Sequence, residues 1–214
     1  MHLSCKIKAS FLILACAICF SGFAQNKNFK VTLDAGHGAH DYGATYHGHI
    51  EKNINLAITL KVGKILESQP NVEVNYTRKK DVFIDLIERA NIANRVDANI
   101  FVSMHCNANR NFEVEGTETF LMGMTKNASN LAAAKKENQV ITLEKDYKQK
   151  YEGYDPNAPE TLIGMTLMQE EYLENSISLA SKIQDKFTDD LGKKNRGKGK
   201  QPFLFLLKAK MQRV

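Results

Sequence analysis

Phe29-Lys30-Val31-Thr32-Leu33-Asp34-Ala35-Gly36-His37-Gly38 reads as a buried strand, Phe29 to Leu33, running into a turn-rich stretch from Asp34 to Gly38. A histidine between two glycines directly after a strand stands where the backbone turns sharply, so its imidazole can project from the carboxyl end of a sheet. Beyond it, apolar residues at Ile54, Ile58, Val62, Ile65 and Leu66 follow helical spacing. Val72 to Thr77 alternates as a strand, and Leu86, Ala90 and Ala93 mark the buried stripe of a second helix beginning near Asp85. Asn99 to Met104 is again a short apolar strand. This β-α-β-α-β order, with crossovers long enough to be helices, predicts an α/β single domain: a mostly parallel or mixed twisted sheet with helices on both faces.

Gly116 to Met122 adds another strand. From Thr125 to Glu160 the chain turns polar and reads as a surface insertion, partly helical around Leu131 to Glu137. Leu173, Ile177, Ala180, Phe187 and Leu191 then space one long amphipathic helix closed by Gly192. The basic run Lys193 to Lys200 is expected as a solvated loop, and Phe203 to Leu207 as a last strand.

With 214 residues, 43% hydrophobic and 25% charged, 13 Gly and 4 Pro, the chain has the composition of one globular domain and not of a disordered or collagenous protein. Of the formal net charge of +5, Lys6 and Lys8 supply two, and the remainder is too small to argue for nucleic acid. Those lysines belong to a cationic lead, Met1 to Lys8, followed by an apolar run from Phe11 to Phe20. Gly22-Phe23-Ala24 then sets small residues at the minus-three and minus-one positions of a cut before Gln25. Residues 1–24 are therefore expected to be an export signal, with residues 25–214 as the domain and the periplasm or cell envelope as its destination.

The apolar run is short of the ~20 residues that span a bilayer, so no stable membrane insertion is expected. Lipidation at Cys16, in Ile13-Leu14-Ala15-Cys16, is the other reading of this segment. Of the 4 cysteines, only Cys106 lies beyond the expected signal, which excludes an internal disulfide scaffold.

His37 and His105 each follow a predicted strand, and in a parallel sheet those two strand ends share one edge; Glu51 opens the first helix beside it. Two imidazoles and a carboxylate are a ligand set for catalytic zinc, with a fourth position left for water, which points to a hydrolase. Each residue also has a plainer reading: a strand-end histidine is often hydrogen-bonded filler, and Glu51 is an ordinary acid of a helix's first turn.

The motifs around these residues come in a fixed order. They are Leu33-Asp34-Ala35-Gly36-His37-Gly38, Glu51-Lys52-Asn53-Ile54-Asn55-Leu56-Ala57, Thr77-Arg78-Lys79-Lys80-Asp81, Leu86-Ile87-Glu88-Arg89-Ala90, Ala93-Asn94 and Phe101-Val102-Ser103-Met104-His105-Cys106-Asn107-Ala108. The series resembles the zinc-dependent N-acetylmuramoyl-L-alanine amidases, which hydrolyse the amide joining muramic acid to the stem peptide of peptidoglycan. The resemblance implies that His37, Glu51 and His105 bind one Zn2+, that peptidoglycan is the substrate, and that an activator protein is a conceivable partner. His40, His47 and His49 fall outside the family's pattern and are expected to be exposed or to sit behind the ligands. Arg78, Asp81 and Arg89 match family positions and are expected to form structural ion pairs. Asn107 is a candidate substrate contact, and Cys106 is expected to be buried filler turned away from His105.

Members of that family close with a Met-Pro pair and a Glu-x-Gly-Phe motif whose glutamate is the general acid and base. Here Met211 fits, Gln212 stands where the proline is expected, and the glutamate would lie beyond Val214, so no catalytic acid or base is assigned within the sequence. Two readings of different class follow: a zinc amidase acting on the cell wall, or a truncated, catalytically silent peptidoglycan- or metal-binding protein. A phosphate-binding reading of the turn at Gly36 to Gly38 fails because the Gly-x-x-x-x-Gly-Lys-Ser/Thr signature is absent.

Overall fold

A computed structural model of the chain describes residues 28–106, 111, 113–122, 139–150 and 173–201. The expected export signal, Asn107, the expected helix at Leu131 to Glu137 and the expected strand at Phe203 to Leu207 lie outside the described residues.

The fold is built around β1 (Phe29–Ala35). It pairs in parallel with β4 (Val72–Tyr76) on one side and β5 (Ile100–Met104) on the other, Val31 lying opposite both Val74 and Ile100. Parallel neighbours need crossovers, and here they are helices: α1 (Glu51–Glu67) between β1 and β4, and α2 (Leu86–Arg95) between β4 and β5. A short antiparallel hairpin, β2 (Thr45–Tyr46) and β3 (His49–Ile50), precedes α1.

Being central, β1 is buried on both faces, with Thr32, Leu33, Asp34 and Ala35 almost fully covered. Side-chain alternation turns Asp34 and Ser103 toward Arg89 of α2, and Met104 toward Thr59 of α1. The strand order β4-β1-β5 reverses direction at β1. The crevice beyond the carboxyl ends of β1 and β5 is thus a topological switch point, where open α/β sheets bind their ligands.

A second β-α-β unit follows. β6 (Thr117–Met122) and β7 (Asn195–Gln201) pair in parallel, and α4 (Leu173–Asp189) packs on both. Gly192, at φ +60, ends α4, and its amide and that of Lys193 donate to the carbonyls of Thr188 and Phe187. Between these units lie a short 3-10 helix (Gln139–Leu143) and α3 (Tyr147–Lys150).

Three expectations change. Most of the basic run at Lys193 to Lys200 is strand β7 and not a loop, because backbone pairing needs no apolar side chains and β6 offers a parallel partner. Its partner Gln184, buried in α4, donates to the carbonyls of Thr117 and Gly197 and to Asn195 Oδ1.

The apolar stripes of the two long helices do not all face inward. In α1, Ile58 and Ile65 are 46% and 64% exposed, while Glu51, Lys52, Asn55, Thr59 and Gly63 are buried. Ile177 of α4 and Leu191 just past its end are exposed, while Ala180 and Gln184 are buried. The stripe of α2, Leu86, Ala90 and Ala93, is buried as expected.

The insertion is not all surface. Val140 and Ile141 pack with Leu86 against Phe83, Ile87, Phe101 and Tyr147, and buried Glu144 accepts the Leu86 amide at the start of α2. An apolar pair inside a polar stretch is enough to pull that stretch onto the core.

Candidate metal centre

Three elements each deliver one side chain to the crevice between β1 and β5. The Gly36 amide donates to the Met104 carbonyl, which prolongs the β1–β5 pairing and leaves His37 and His105 side by side just past the strands. Their rings meet edge to face at 4.8 Å. Glu51, first residue of α1, enters from the hairpin side. His37 Nε2, Glu51 Oε1 and His105 Nδ1 form a triangle with all three separations at 3.2 Å. Among the described residues this is the one cluster of three or more His, Cys, Asp or Glu side chains able to hold a metal ion.

Two glycines make the room. A Cβ on Gly36 would stand 2.3 Å from His105 Cε1, and one on Gly43 would stand 2.6 Å from His37 Cδ2 and 2.8 Å from Glu51 Oε2. Gly43 also has φ +65, a conformation that costs any side chain.

The polar groups behind the triangle are tied to backbone. The Ala44 amide donates to Glu51 Oε2 and the Cys106 amide to Glu51 Oε1, both at 2.8 Å. Buried Asn55, one turn along α1, donates weakly to Glu51 Oε1 and to the Gly36 carbonyl at 3.4 Å. Asp41 Oδ2 lies 2.8 Å from His37 Nδ1.

Two arginines hold the carbonyls of the strand end. Arg78 donates to Ala35, Gly36 and Lys52 carbonyls at 2.8–2.9 Å. Arg89 donates to the carbonyls of Ala35 and His37 and forms a fully buried 2.7 Å ion pair with Asp34. Asp34 also accepts the hydroxyls of Thr77 and Ser103, each at 2.6 Å.

The three family-matched charged residues are thus structural, but not as one set of ion pairs. Arg89 pairs with Asp34, Asp81 pairs with Lys52 at 2.6 Å, and Arg78 spends its donors on carbonyls.

Burial works against charge here, and the contacts overrule it. It pushes His37 down, yet the hydrogen bonds to Asp41 and Glu51 raise that imidazole to about 9. Burial pushes Glu51 up, yet the bonds from His105, His37 and the Ala44 amide hold it well below the usual carboxylate range. Asp41 is likewise lowered: burial pushes it up, but the bond and charge of His37, the Gly43 amide and the Arg89 charge together outweigh it.

His40, His47 and His49 are exposed; His40 packs tilted on Phe83, and His47 meets Tyr46 edge to face. Cys106 is half-buried, its Sγ 3.4 Å from Asn55 Oδ1, so it acts on the centre through its amide. Beside the triangle runs a cleft lined by His37, Tyr42 and Glu51 on one side and by Val140, Thr142 and Leu143 of the insertion on the other. Asp41, Asn55, Gly43 and Lys52 are the contributors that sequence reasoning missed. Lys52 and Asn55 lay inside the quoted Glu51–Ala57 motif without an assigned role, and Asp41 carried its own signal, a carboxylate four residues after a turn histidine.

A family model described as N-acetylmuramoyl-L-alanine amidase matches residues 31–214. An endolysin of Bacillus phage SPP1 is 53% identical over 78 residues, covering 36% of this chain and 29% of that protein. The N-acetylmuramoyl-L-alanine amidase AmiA of Escherichia coli K12 is 29% identical over 160 residues, 73% of this chain and 53% of that one. The chain spans between 18% and 56% of the length of these and other curated relatives it matches. The crystal structure of an N-acetylmuramoyl-L-alanine amidase from Clostridium difficile 630 has the same fold, with TM-score 0.59 and 23% identity over 86% of this chain and 76% of that chain.

Proposed function

The chain belongs to the N-acetylmuramoyl-L-alanine amidase family, and from that membership we propose that it hydrolyses the amide between N-acetylmuramic acid and L-alanine in peptidoglycan, with one zinc ion held by His37, Glu51 and His105. The observation that carries the metal is the donor triangle. Tetrahedral zinc with ligand bonds of about 2.0–2.2 Å sets its ligands about 3.3–3.6 Å apart, and the three donors already stand 3.2 Å from one another. Two imidazole nitrogens and one carboxylate oxygen are also the donor chemistry of a site that keeps a fourth position open.

When bound, the ion supplies Lewis-acid polarisation of the scissile carbonyl and a water of lowered pKa. The protein's part is placement. The backbone amides of Ala44 and Cys106 hold the two Glu51 carboxylate oxygens in place beside both histidines. The cleft beside them gives an extended substrate access, with Tyr42 and Leu143, each about half exposed, as apolar contacts on opposite walls. Asn107, two residues past His105, is the candidate substrate contact. On the same reading residues 1–24 export the chain to the cell envelope, and residues 125–160 border the groove; no helix among the described residues is long and apolar enough to cross a membrane.

The test is to incubate the zinc-loaded protein with purified peptidoglycan and measure stem peptides released with a free L-alanine amino terminus. Release is expected to stop with a chelator and to be absent in His37→Ala and His105→Ala. Release that persists in the chelator or in both variants would refute the proposal.

A further inference from the structure

His37 lies in a stretch of unusual backbone. His37 (φ +63), Gly38 (φ +143) and Ala39 (φ +47) are three consecutive residues at positive φ, two of them carrying a Cβ that this region disfavours. Strain of this kind persists only where surrounding structure enforces it, and the enforcing contacts are present. The Ala39 amide donates to Asp81 Oδ1 and the Ala39 carbonyl accepts Lys52 Nζ, each at 2.7 Å, while Arg89 holds the His37 carbonyl at 3.1 Å.

The result of the tight turn is local. Gly38 and Asp41 bond to each other through both backbone groups, at 2.9 and 3.0 Å, and this returns the chain beneath the His37 ring. Asp41, buried there, has its Oδ2 2.8 Å from His37 Nδ1 and its Oδ1 accepting the Gly43 amide at 3.2 Å. Both carboxylate oxygens are thereby committed on the side of the imidazole opposite Nε2, so Asp41 is not a ligand in the triangle.

We infer that Asp41 is a positioning residue of the metal centre: as acceptor of the His37 Nδ1 proton it fixes the tautomer and rotation that present Nε2 to the ion. The inference rests on the proposed zinc site. An imidazole can offer either nitrogen to a metal, and the hydrogen bond at the other nitrogen decides which. The strained turn supplies that bond within five residues of chain, His37 to Asp41.

The experiment measures zinc affinity by chelator competition for the wild type, Asp41→Ala and Asp41→Asn, with thermal melts of the metal-free forms as a check on folding. Asp41→Ala is expected to bind zinc about 10- to 100-fold more weakly. Asp41→Asn, whose amide oxygen still accepts a proton from Nδ1, is expected to recover most of that loss. In the zinc-loaded proteins a proton NMR signal from His37 Nδ1–H, protected from exchange, is expected in the wild type and Asp41→Asn and absent in Asp41→Ala. Wild-type affinity in Asp41→Ala would overturn the inference while leaving the zinc site standing. Asp41→Asn binding as weakly as a folded Asp41→Ala would also overturn it, since charge and not the accepted proton would then be what matters. A wild-type protein that takes up no zinc would overturn the proposed site itself.

Discussion

Adding a single methyl group at Gly36 is expected to destroy the metal centre without unfolding the protein. Gly36 needs no left-handed backbone, so alanine is conformationally allowed there, and the whole effect is steric. The new Cβ would stand 2.3 Å from His105 Cε1 and 2.4 Å from His105 Nε2. Non-bonded carbons settle at about 3.5–4.0 Å, so the ring has to retreat by about 1.2 Å or more. Metal-ligand distances tolerate about 0.2 Å, and a ring displaced that far no longer ligates. The loss should therefore exceed the ~10- to 100-fold typical of a change behind the ligands. Chelator competition would read the zinc affinity, and circular dichroism with a thermal melt would show that the metal-free fold is kept. A Gly36→Ala protein that folds normally and binds zinc within about threefold of wild type (~0.7 kcal/mol) would refute the reasoning, because His105 could not then be held where the close approach puts it.

Two further outcomes follow from the buried network behind the centre. Arg89→Met should cost about 3–5 kcal/mol in urea unfolding of the metal-free protein, since it strands a buried Asp34 carboxylate, whereas Arg95→Met, which breaks the exposed pair with Glu88, should cost no more than about 1 kcal/mol; equal small losses would contradict the assignment. Burial pushes the Asp34 carboxyl up, but Arg89 and the hydroxyls of Ser103 and Thr77 outweigh it and hold the group below its usual 3.8. With the folded value depressed, its stabilisation is present above about pH 4 and is lost as the pH falls through the folded value, so Asp34→Asn should flatten the acid limb of stability against pH; an unchanged acid limb would refute this.

The sheet was legible because its signals are local. β1, β4 and β5 are short apolar or alternating runs bounded by turns, and α2 carries an apolar stripe at helical spacing, so period and order were enough. The donor cluster was legible because His37, Glu51 and His105 stand at the ends of those elements, and their reading as zinc ligands is what the family resemblance implies.

What escaped was set by tertiary contact. The run at Asn195–Gln201 has no strand pattern of its own and becomes β7 only because β6 offers a parallel partner. Nothing in Val140-Ile141 within a polar stretch says that it will cover the start of α2. The inward face of α1 was misread because it is occupied by polar contacts and not by apolar residues: Glu51 and Asn55 belong to the donor cluster, and Lys52 secures the strained turn.

That choice explains a feature of the fold that packing alone does not. A helix with Ile58 and Ile65 outward and Glu51, Lys52, Asn55 and Thr59 inward gives up hydrophobic burial on the face that usually supplies it. Buried polar groups are tolerable when each finds a partner, and here nearly all do: among the described residues only the hydroxyls of Thr32 and Thr117 are buried without one. The partners are shared between ligands and scaffold. The Gly36 carbonyl takes both Arg78 and Asn55, the Ala35 carbonyl takes both guanidiniums, and Asn55 reaches Glu51 as well. Because each donor of the triangle comes from a different element and the hydrogen bonds behind them run through common carbonyls, the cluster is rigid only while β1, β5 and α1 stay together. Substitutions within this network should therefore be non-additive, and metal binding should stabilise the joined β1–β5–α1 arrangement beyond what any one ligand contributes.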